Sequence, residues 1–270
     1  MSHQPLRNSA ALSEVDVLDA RAIAWNKRPL LRTVYHEYFQ SMAAQFVRRS
    51  ADRSRPHGVV VEIGGGAGHF KAFYPRMIVT DLVPTRHIDL AADAMHLPFA
   101  DRSVDNLVMQ DVLHQIAYPL SFFSEAVRIL APGGRIVMVE PFISTLSKVL
   151  YRVSHPEPVD MRARIFREPR DISGSDPAAF TGAGAFDANQ AIPTLLFFRY
   201  AGKFQRRFPN LIVRERKVHS MIAYPLSGGF SKPVLMPMMA VPAVRVLENI
   251  LSPLAPWLAF RMLVALEKAA

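Results

Sequence analysis

The sequence has no cysteine among its 270 residues. This absence excludes disulfide frameworks, zinc sites with thiolate ligands, cysteine-ligated iron–sulfur clusters and cysteine nucleophiles. It is compatible with a reducing compartment. Half of the residues are hydrophobic, so the chain can nevertheless bury a sizeable core without covalent cross-links.

Long hydrophobic runs are absent as well. The two most apolar stretches, 233–244 and 249–260, have twelve residues each, whereas a membrane-spanning helix needs about 20. The first residues also lack the apolar core of a secretory signal. We therefore expect a cytoplasmic protein that is soluble or lies peripherally on the inner face of the membrane.

Acidic residues are in the minority, with 23 against 32 basic ones and a net charge of +9. The excess lies in the flanks, because residues 58–150 hold seven basic and nine acidic side chains. The basic flanks have two interpretations: an anionic partner such as nucleic acid or lipid, or ordinary solvated arginines.

Short β-branched runs alternate with a helical pattern in the middle of the chain. The runs predict buried parallel strands at 58–63, 77–81, 104–109 and 133–140, and an apolar stripe predicts a helix at 119–130. Such alternation indicates an α/β sheet with right-handed crossovers. Residues 211–218 suit a later strand, and 260–267 suit either a last strand or a helix.

A cluster of glycines follows the first strand at once. Its spacing is acid-x-Gly-x-Gly-x-Gly, formed by Glu62, Gly64, Gly66 and Gly68. Neither the dinucleotide fingerprint nor a P-loop fits this spacing. Glycines let the backbone turn sharply and approach a ligand, and the acid can accept hydrogen bonds from an ammonium group. Asp81, at the end of the second strand, can bind both hydroxyls of a ribose.

This series of motifs resembles the class I S-adenosylmethionine-dependent methyltransferases, in particular the group that acts on small molecules. The resemblance covers residues 57–141 and implies a Rossmann-like α/β fold. The expected sheet has seven strands in the order 3-2-1-4-5-7-6, with strand 7 antiparallel, helices on both faces and an acceptor-side lid. The expected divisions are an N-terminal helical cover (1–56), the S-adenosylmethionine-binding core (57–141), an acceptor lid (142–209) and a C-terminal completion of the sheet with an apolar segment (210–270).

The resemblance also implies roles for single residues. Glu62 and the glycines would face the methionine moiety, and Asp81 would bind the ribose. Asp93 would meet the adenine amino group, and Gln110 would lie near the transferred methyl; Ala94 and Met95 would lie beside the adenine ring. Only eleven residues separate Asp81 from Asp93, so the helix that the family usually has there is expected to be absent or a single turn.

Transfer to a hydroxyl requires a general base. His114 is the first candidate, and Asp111 and Glu140 are the alternatives. His114 could instead be a structural histidine, and Glu140 could simply bind backbone amides. We see no carboxylate cluster in the sequence for a metal and predict none.

The sequence gives only indirect information on the chemical identity of the acceptor. A basic stretch at 151–217 and an apolar one at 233–264 favour a small or amphiphilic acceptor, such as a hydroxyl of a glycan, a lipid-linked compound or a secondary metabolite. The apolar stretch is also compatible with peripheral membrane contact or a homodimer. The alternatives are an RNA methyltransferase, disfavoured because no RNA-binding module or Asn/Asp-Pro-Pro-aromatic motif is present, and an inactive cofactor-binding protein.

Overall fold

A computed structural model describes residues 14–49, 56–154, 157–167 and 189–270. Its centre is one seven-stranded sheet in the order β3-β2-β1-β4-β5-β7-β6, which confirms the predicted order. The strands are β1 (Val60–Ile63), β2 (Ile78–Asp81), β3 (Leu90–Ala91), β4 (Val104–Gln110), β5 (Leu130–Pro141), β6 (Leu211–His219) and β7 (Arg261–Lys268).

The first five strands in the chain are parallel, and β7 runs antiparallel to both β5 and β6. The ambiguous last segment is thus a strand. Since β7 is reversed, its first residue, Arg261, lies beside Pro141 at the carboxyl end of β5. This places an arginine at the sheet edge where ligands of parallel α/β folds bind.

Helices cover both faces of the sheet, as expected. The described helices are α1 (Glu14–Lys27), α2 (Pro29–Ala43), α3 (His69–Phe73), α4 (Pro119–Ile129), α5 (Thr145–Ser154), α6 (Ile192–Thr194), α7 (Ala201–Arg207), α8 (Ala223–Leu226), α9 (Val241–Ile250) and α10 (Ala255–Leu258). Two apolar clusters result, one containing α2 and α3 and the other containing α4 and the α6–α7 region. The predicted stripe of α4, with Phe122, Ala126 and Ile129, is fully buried.

The last part of the predicted acceptor lid, residues 189–209, packs on the core, and its role as a lid stays a prediction. A single π-helical turn joins α6 to α7, and Leu195, Phe197 and Phe204 of this region are buried. The Phe204 ring lies 4.9 Å from that of Phe123 on α4. This region therefore belongs to the core, because its apolar side chains are needed to cover the sheet. Residues 168–188, the centre of the expected lid, lie outside the described residues.

No helix occupies 82–89 between β2 and β3, as the short spacing predicts. Among the described residues, no single helix is long and apolar enough to cross a membrane. Two helical stretches, Met238–Ile250 and Ser252–Leu258, reach that length only together, and they meet at a bend of 65°.

Candidate functional site

The glycine loop lies between β1 and α3, at the carboxyl edge of the sheet. Gly64, Gly66 and Gly68 all have left-handed φ angles of 67°, 51° and 71°, which other residues rarely adopt. A Cβ on Gly64 would lie 2.4 Å from a Val112 methyl carbon. The loop is therefore packed directly against the segment that follows β4, and this brings two parts of the predicted site together.

Asp81 holds the glycine loop from the end of β2. Its Oδ2 accepts a hydrogen bond from the Gly66 backbone N–H at 2.8 Å, and its Oδ1 accepts one from Val83 at 2.9 Å. An ionised carboxylate has about four acceptor positions, so both oxygens keep capacity for ribose hydroxyls. Asp81 thus positions the loop and remains able to bind the sugar.

Polar side chains beside the loop have buried atoms that lack hydrogen-bond partners among the described residues. They include Oε2 of Glu62, both amide atoms of Gln110 and Nε2 of His69. Burial, followed by repulsion from Asp81, raises the pKa of Glu62 to about 8. A buried carboxyl and a buried amide without partners are costly in an empty protein. They fit the ammonium and polar atoms of a bound S-adenosylmethionine.

The segment after β3 forms a tight turn. Asp93 Oδ1 accepts a hydrogen bond from the Met95 backbone N–H at 2.8 Å, and Oδ2 lies 3.5 Å from the His96 ring. Ala94 and Met95 are half-buried and pack on the core. Asp93 therefore shapes this turn, and its contact with adenine stays a prediction.

Helix α1 lies against the glycine loop. A Cβ on Gly66 would lie 3.2 Å from a Leu18 methyl carbon. Further along α1, the Trp25 ring stacks on that of His69 at 4.1 Å. The His69 ring is in turn parallel to that of Phe230, at 6.2 Å. These aromatic contacts link α1 and the 228–232 loop to the start of α3, and the sequence pattern did not indicate them.

His114 lies buried in a 3₁₀ turn after β4, between two carboxylates. Its Nδ1 is 2.8 Å from Glu140 Oε2, and its Nε2 is 3.3 Å from Glu157 Oε2. Burial alone would lower the pKa of His114, but hydrogen bonds and attraction from both carboxylates outweigh it and raise the pKa to about 9. The imidazole is therefore protonated at neutral pH while both carboxylates face it.

Glu140 binds backbone amides, which is one of the two roles that the sequence left open, and it also contacts His114. Its Oε2 contacts His114, while its Oε1 accepts backbone N–H hydrogen bonds from Val112 and Leu113, each at 2.8 Å. The side chain is completely buried. Glu140 is therefore a positioning residue for the turn and for the imidazole, and it has no free face for a substrate.

Asp111 is also fully engaged. It pairs with Arg261 and accepts a hydrogen bond from the Tyr35 hydroxyl at 3.0 Å. Its backbone has a left-handed φ of 58°, which is uncommon outside glycine. Arg261 also donates to the Tyr224 hydroxyl. This arrangement holds Asp111 as a carboxylate partner of an arginine and disfavours it as a base.

Glu157 is a site residue that the sequence did not indicate. Gln190 donates a hydrogen bond to its carboxylate, and Asn189 fastens the neighbouring segment through two 3.0 Å hydrogen bonds with the backbone of Asp160. The flanking prolines gave no signal of a buried carboxylate. Arg261 was detectable in principle, as a lone arginine at the start of an apolar strand.

Within the described ranges, no group of three or more His, Asp or Glu side chains could hold a metal ion. The expectation of a metal-free site stays a prediction.

A family model described as a methyltransferase domain matches residues 61–138. An uncharacterized methyltransferase of Mycobacterium leprae is 26% identical over 152 residues, which cover 46% of this chain and 56% of that protein. A 37.1 kDa protein from a transposon of Streptomyces fradiae is 40% identical over 62 residues, covering 23% of this chain and 18% of that protein. The chain thus spans little more than half the length of the mycobacterial relative.

Solved structures with a similar course of the chain include a SAM-dependent methyltransferase from Archaeoglobus fulgidus. Its TM-score is 0.49 at 12% identity, covering 88% of this chain and 94% of that one. Geranyl diphosphate C-methyltransferase from Streptomyces coelicolor A3(2) has a TM-score of 0.46 at 12% identity, and the match covers 88% of this chain and 77% of that chain.

Residues 61–138 match a methyltransferase domain, and the sheet has the strand order that the resemblance to the class I S-adenosylmethionine-dependent methyltransferases predicts. S-adenosylmethionine is the cofactor of that class. Both predictions made from the sequence are thereby confirmed.

Proposed function

We propose that the protein transfers a methyl group from S-adenosylmethionine to a hydroxyl of a small or amphiphilic acceptor. The observation that carries the proposal is the buried pair of Glu140 and His114, joined at 2.8 Å and packed next to the glycine loop. A carboxylate on Nδ1 fixes the imidazole so that Nε2 points to the reacting proton. When bound, S-adenosylmethionine supplies an electrophilic methyl group on a sulfonium.

Glu157 decides the protonation state of this pair. While Glu157 lies at Nε2, His114 is held as an imidazolium and cannot accept a proton. An acceptor hydroxyl that displaces Glu157 removes one of the two carboxylates that raise the pKa. His114 can then lose its proton and act as the base, since a base works best with a pKa near the working pH.

The surroundings of Arg261 suggest that the acceptor carries a polar group at one end. Arg261 is 4% exposed, and its Nε is buried without a hydrogen-bond partner among the described residues. A buried donor without a partner costs about 1–3 kcal/mol, and an acceptor oxygen would satisfy it. Tyr35 and Tyr224 stay neutral, because burial raises the pKa of both phenols. Arg261 therefore offers a cationic donor in aromatic surroundings.

The test is transfer of a labelled methyl group from S-adenosylmethionine into a cell extract, followed by separation of lipid, glycan and RNA fractions. We expect label in the organic-soluble or glycan fraction. His114→Gln should lower it by about 10²-fold or more while cofactor binding persists. His57→Gln is the matched control, because His57 lies before β1 at the opposite edge of the sheet.

Label confined to RNA would overturn this proposal and indicate an RNA methyltransferase. Cofactor binding without label in any fraction would indicate an inactive binding protein. Equal labelling by wild type and His114→Gln would remove the imidazole from the reaction.

A further inference from the structure

Helix α5 exposes apolar side chains although it directly follows the site strand β5. Tyr151 is buried, and its hydroxyl donates to the Phe260 carbonyl at 3.1 Å, which fastens one side of the helix. The other side exposes Leu146, Val149, Leu150 and Val153, the last with 82% of its surface accessible. A surface helix normally shows polar residues to water, so this side is unusual.

A second exposed apolar segment, 231–258, lies next to it, since α5 packs against α10. Met239 is 86% exposed and Ile250 is 69% exposed. Other exposed side chains of this segment are Leu235, Val246, Leu254 and Trp257. We call α5 together with residues 231–258 the apolar face. Exposed apolar patches of such extent mark interaction surfaces.

Cations outnumber carboxylates around the apolar face, and the carboxylates there, Glu37 of α2 and Glu248, both pair with Arg245. Residues 141–154 and 216–266 contain a single carboxylate, Glu248. It is 8% exposed, accepts hydrogen bonds from two backbone N–H groups and pairs with Arg245. The cations there include Arg152 and Lys232, which are exposed, and Lys148, which is half-exposed. The surface that meets a partner is therefore apolar and cationic.

We propose that the apolar face docks on the surface of an anionic lipid bilayer. Apolar side chains would enter the interface, while the lysines and arginines meet lipid phosphates, the arrangement of interfacial helices. A second copy of the chain fits less well, because it would bring the same cations against each other. The bent helix pair lies along the interface in this arrangement and does not span the bilayer.

Docking here would place the catalytic edge of the sheet near the lipid. Helix α5 begins four residues after Pro141, the last residue of β5 and the partner of Arg261. An amphiphilic acceptor could then reach the site from the membrane. The docking itself does not depend on the proposed methyl transfer, and its test needs no substrate.

The test is flotation with phosphatidylcholine vesicles, with and without phosphatidylglycerol. We expect flotation that requires the anionic lipid and weakens with salt. The double variant Val246→Glu/Ile250→Glu should bind at least about 10-fold more weakly, because it sets carboxylates in the interface. Ile212→Glu on the edge strand β6 is the matched control. Replacing Lys148 and Arg152 by Gln should cost about fivefold for each cation.

A second readout comes from the two tryptophans of the chain. In a Trp25→Phe background, Trp257 should shift its fluorescence to the blue on vesicles. No flotation on anionic vesicles, or equal flotation of the double variant and the wild type, would overturn the proposal. So would light scattering that shows a dimer which the double variant dissociates, since the face would then join two copies. Retained cofactor affinity in the variant would show that its fold is intact.

Discussion

Cofactor binding should release a proton from Glu62. This carboxyl is 4% exposed, its Oε2 has no partner among the described residues, and its pKa is raised to about 8. In the free protein it is therefore about nine-tenths protonated at pH 7 and about one-tenth protonated at pH 9. The ammonium group of S-adenosylmethionine beside it favours the ionised form. Binding should release about 0.9 proton at pH 7 and about 0.1 at pH 9.

The same reasoning gives the effect on affinity. Ionising a carboxyl of pKa about 8 at pH 7 costs about 1.4 kcal/mol, which is a factor of about ten in Kd. The direction of the pH dependence follows from the raised pKa of Glu62. Because its neutral form dominates below pH 8, cofactor affinity should rise with pH up to that value and then level off. Calorimetry in two buffers of different ionisation enthalpy measures the proton count, with Glu62→Gln as the variant. An identical proton count in wild type and Glu62→Gln would refute the assignment.

Three further predictions concern the same edge of the sheet. Gly66→Val should abolish cofactor binding in a folded protein, because φ is 51° and a Cβ there would lie 3.2 Å from Leu18, so that the loop has to move; unchanged affinity would remove the loop from the site. Protonated His114 should stabilise the fold by about 3 kcal/mol below pH 6.5, and this contribution should be lost as pH rises through about 9, because the folded pKa lies above the unfolded one. Measured by urea unfolding, the free energy of unfolding of His114→Gln should lack this fall with pH. The same pH dependence in the variant and the wild type would contradict the prediction. Tyr35→Phe should lower the free energy of unfolding by about 1 kcal/mol through loss of its 3.0 Å hydrogen bond to Asp111, and unchanged unfolding would show that the bond contributes nothing.

The strands and the loop that carry the proposed cofactor-binding residues were predictable because their signals are local. Glu62, the three glycines and Asp81 each sit at the end of a β-branched run, and strand ends of a parallel sheet meet at one edge. The order of the strands was predicted from the resemblance to the class I methyltransferases, and that resemblance rests on these spacings. The missing helix before Asp93 followed from simple counting of residues.

The catalytic half was not predictable in the same way, because its contacts join distant parts of the chain. Arg261 and Asp111 are 150 positions apart, and Tyr35 and Asp111 are 76 apart. His114 looked like a free base in the sequence, since nothing local shows that Glu157 would lie on its second nitrogen. The packing of residues 191–208 on the core was not predicted, because small and polar residues precede this apolar run in the sequence.

Calorimetric titration of S-adenosylmethionine into the metal-free protein tests the central claim most directly. We predict one bound molecule per chain, with affinity reduced about tenfold or more in Asp81→Ala, because charge-assisted hydrogen bonds contribute about 1.5–3 kcal/mol each. Folding of the variant would be checked by circular dichroism. Absence of binding to the folded wild type, or equal affinity of the wild type and Asp81→Ala, would contradict the assignment of this sheet edge as the cofactor site.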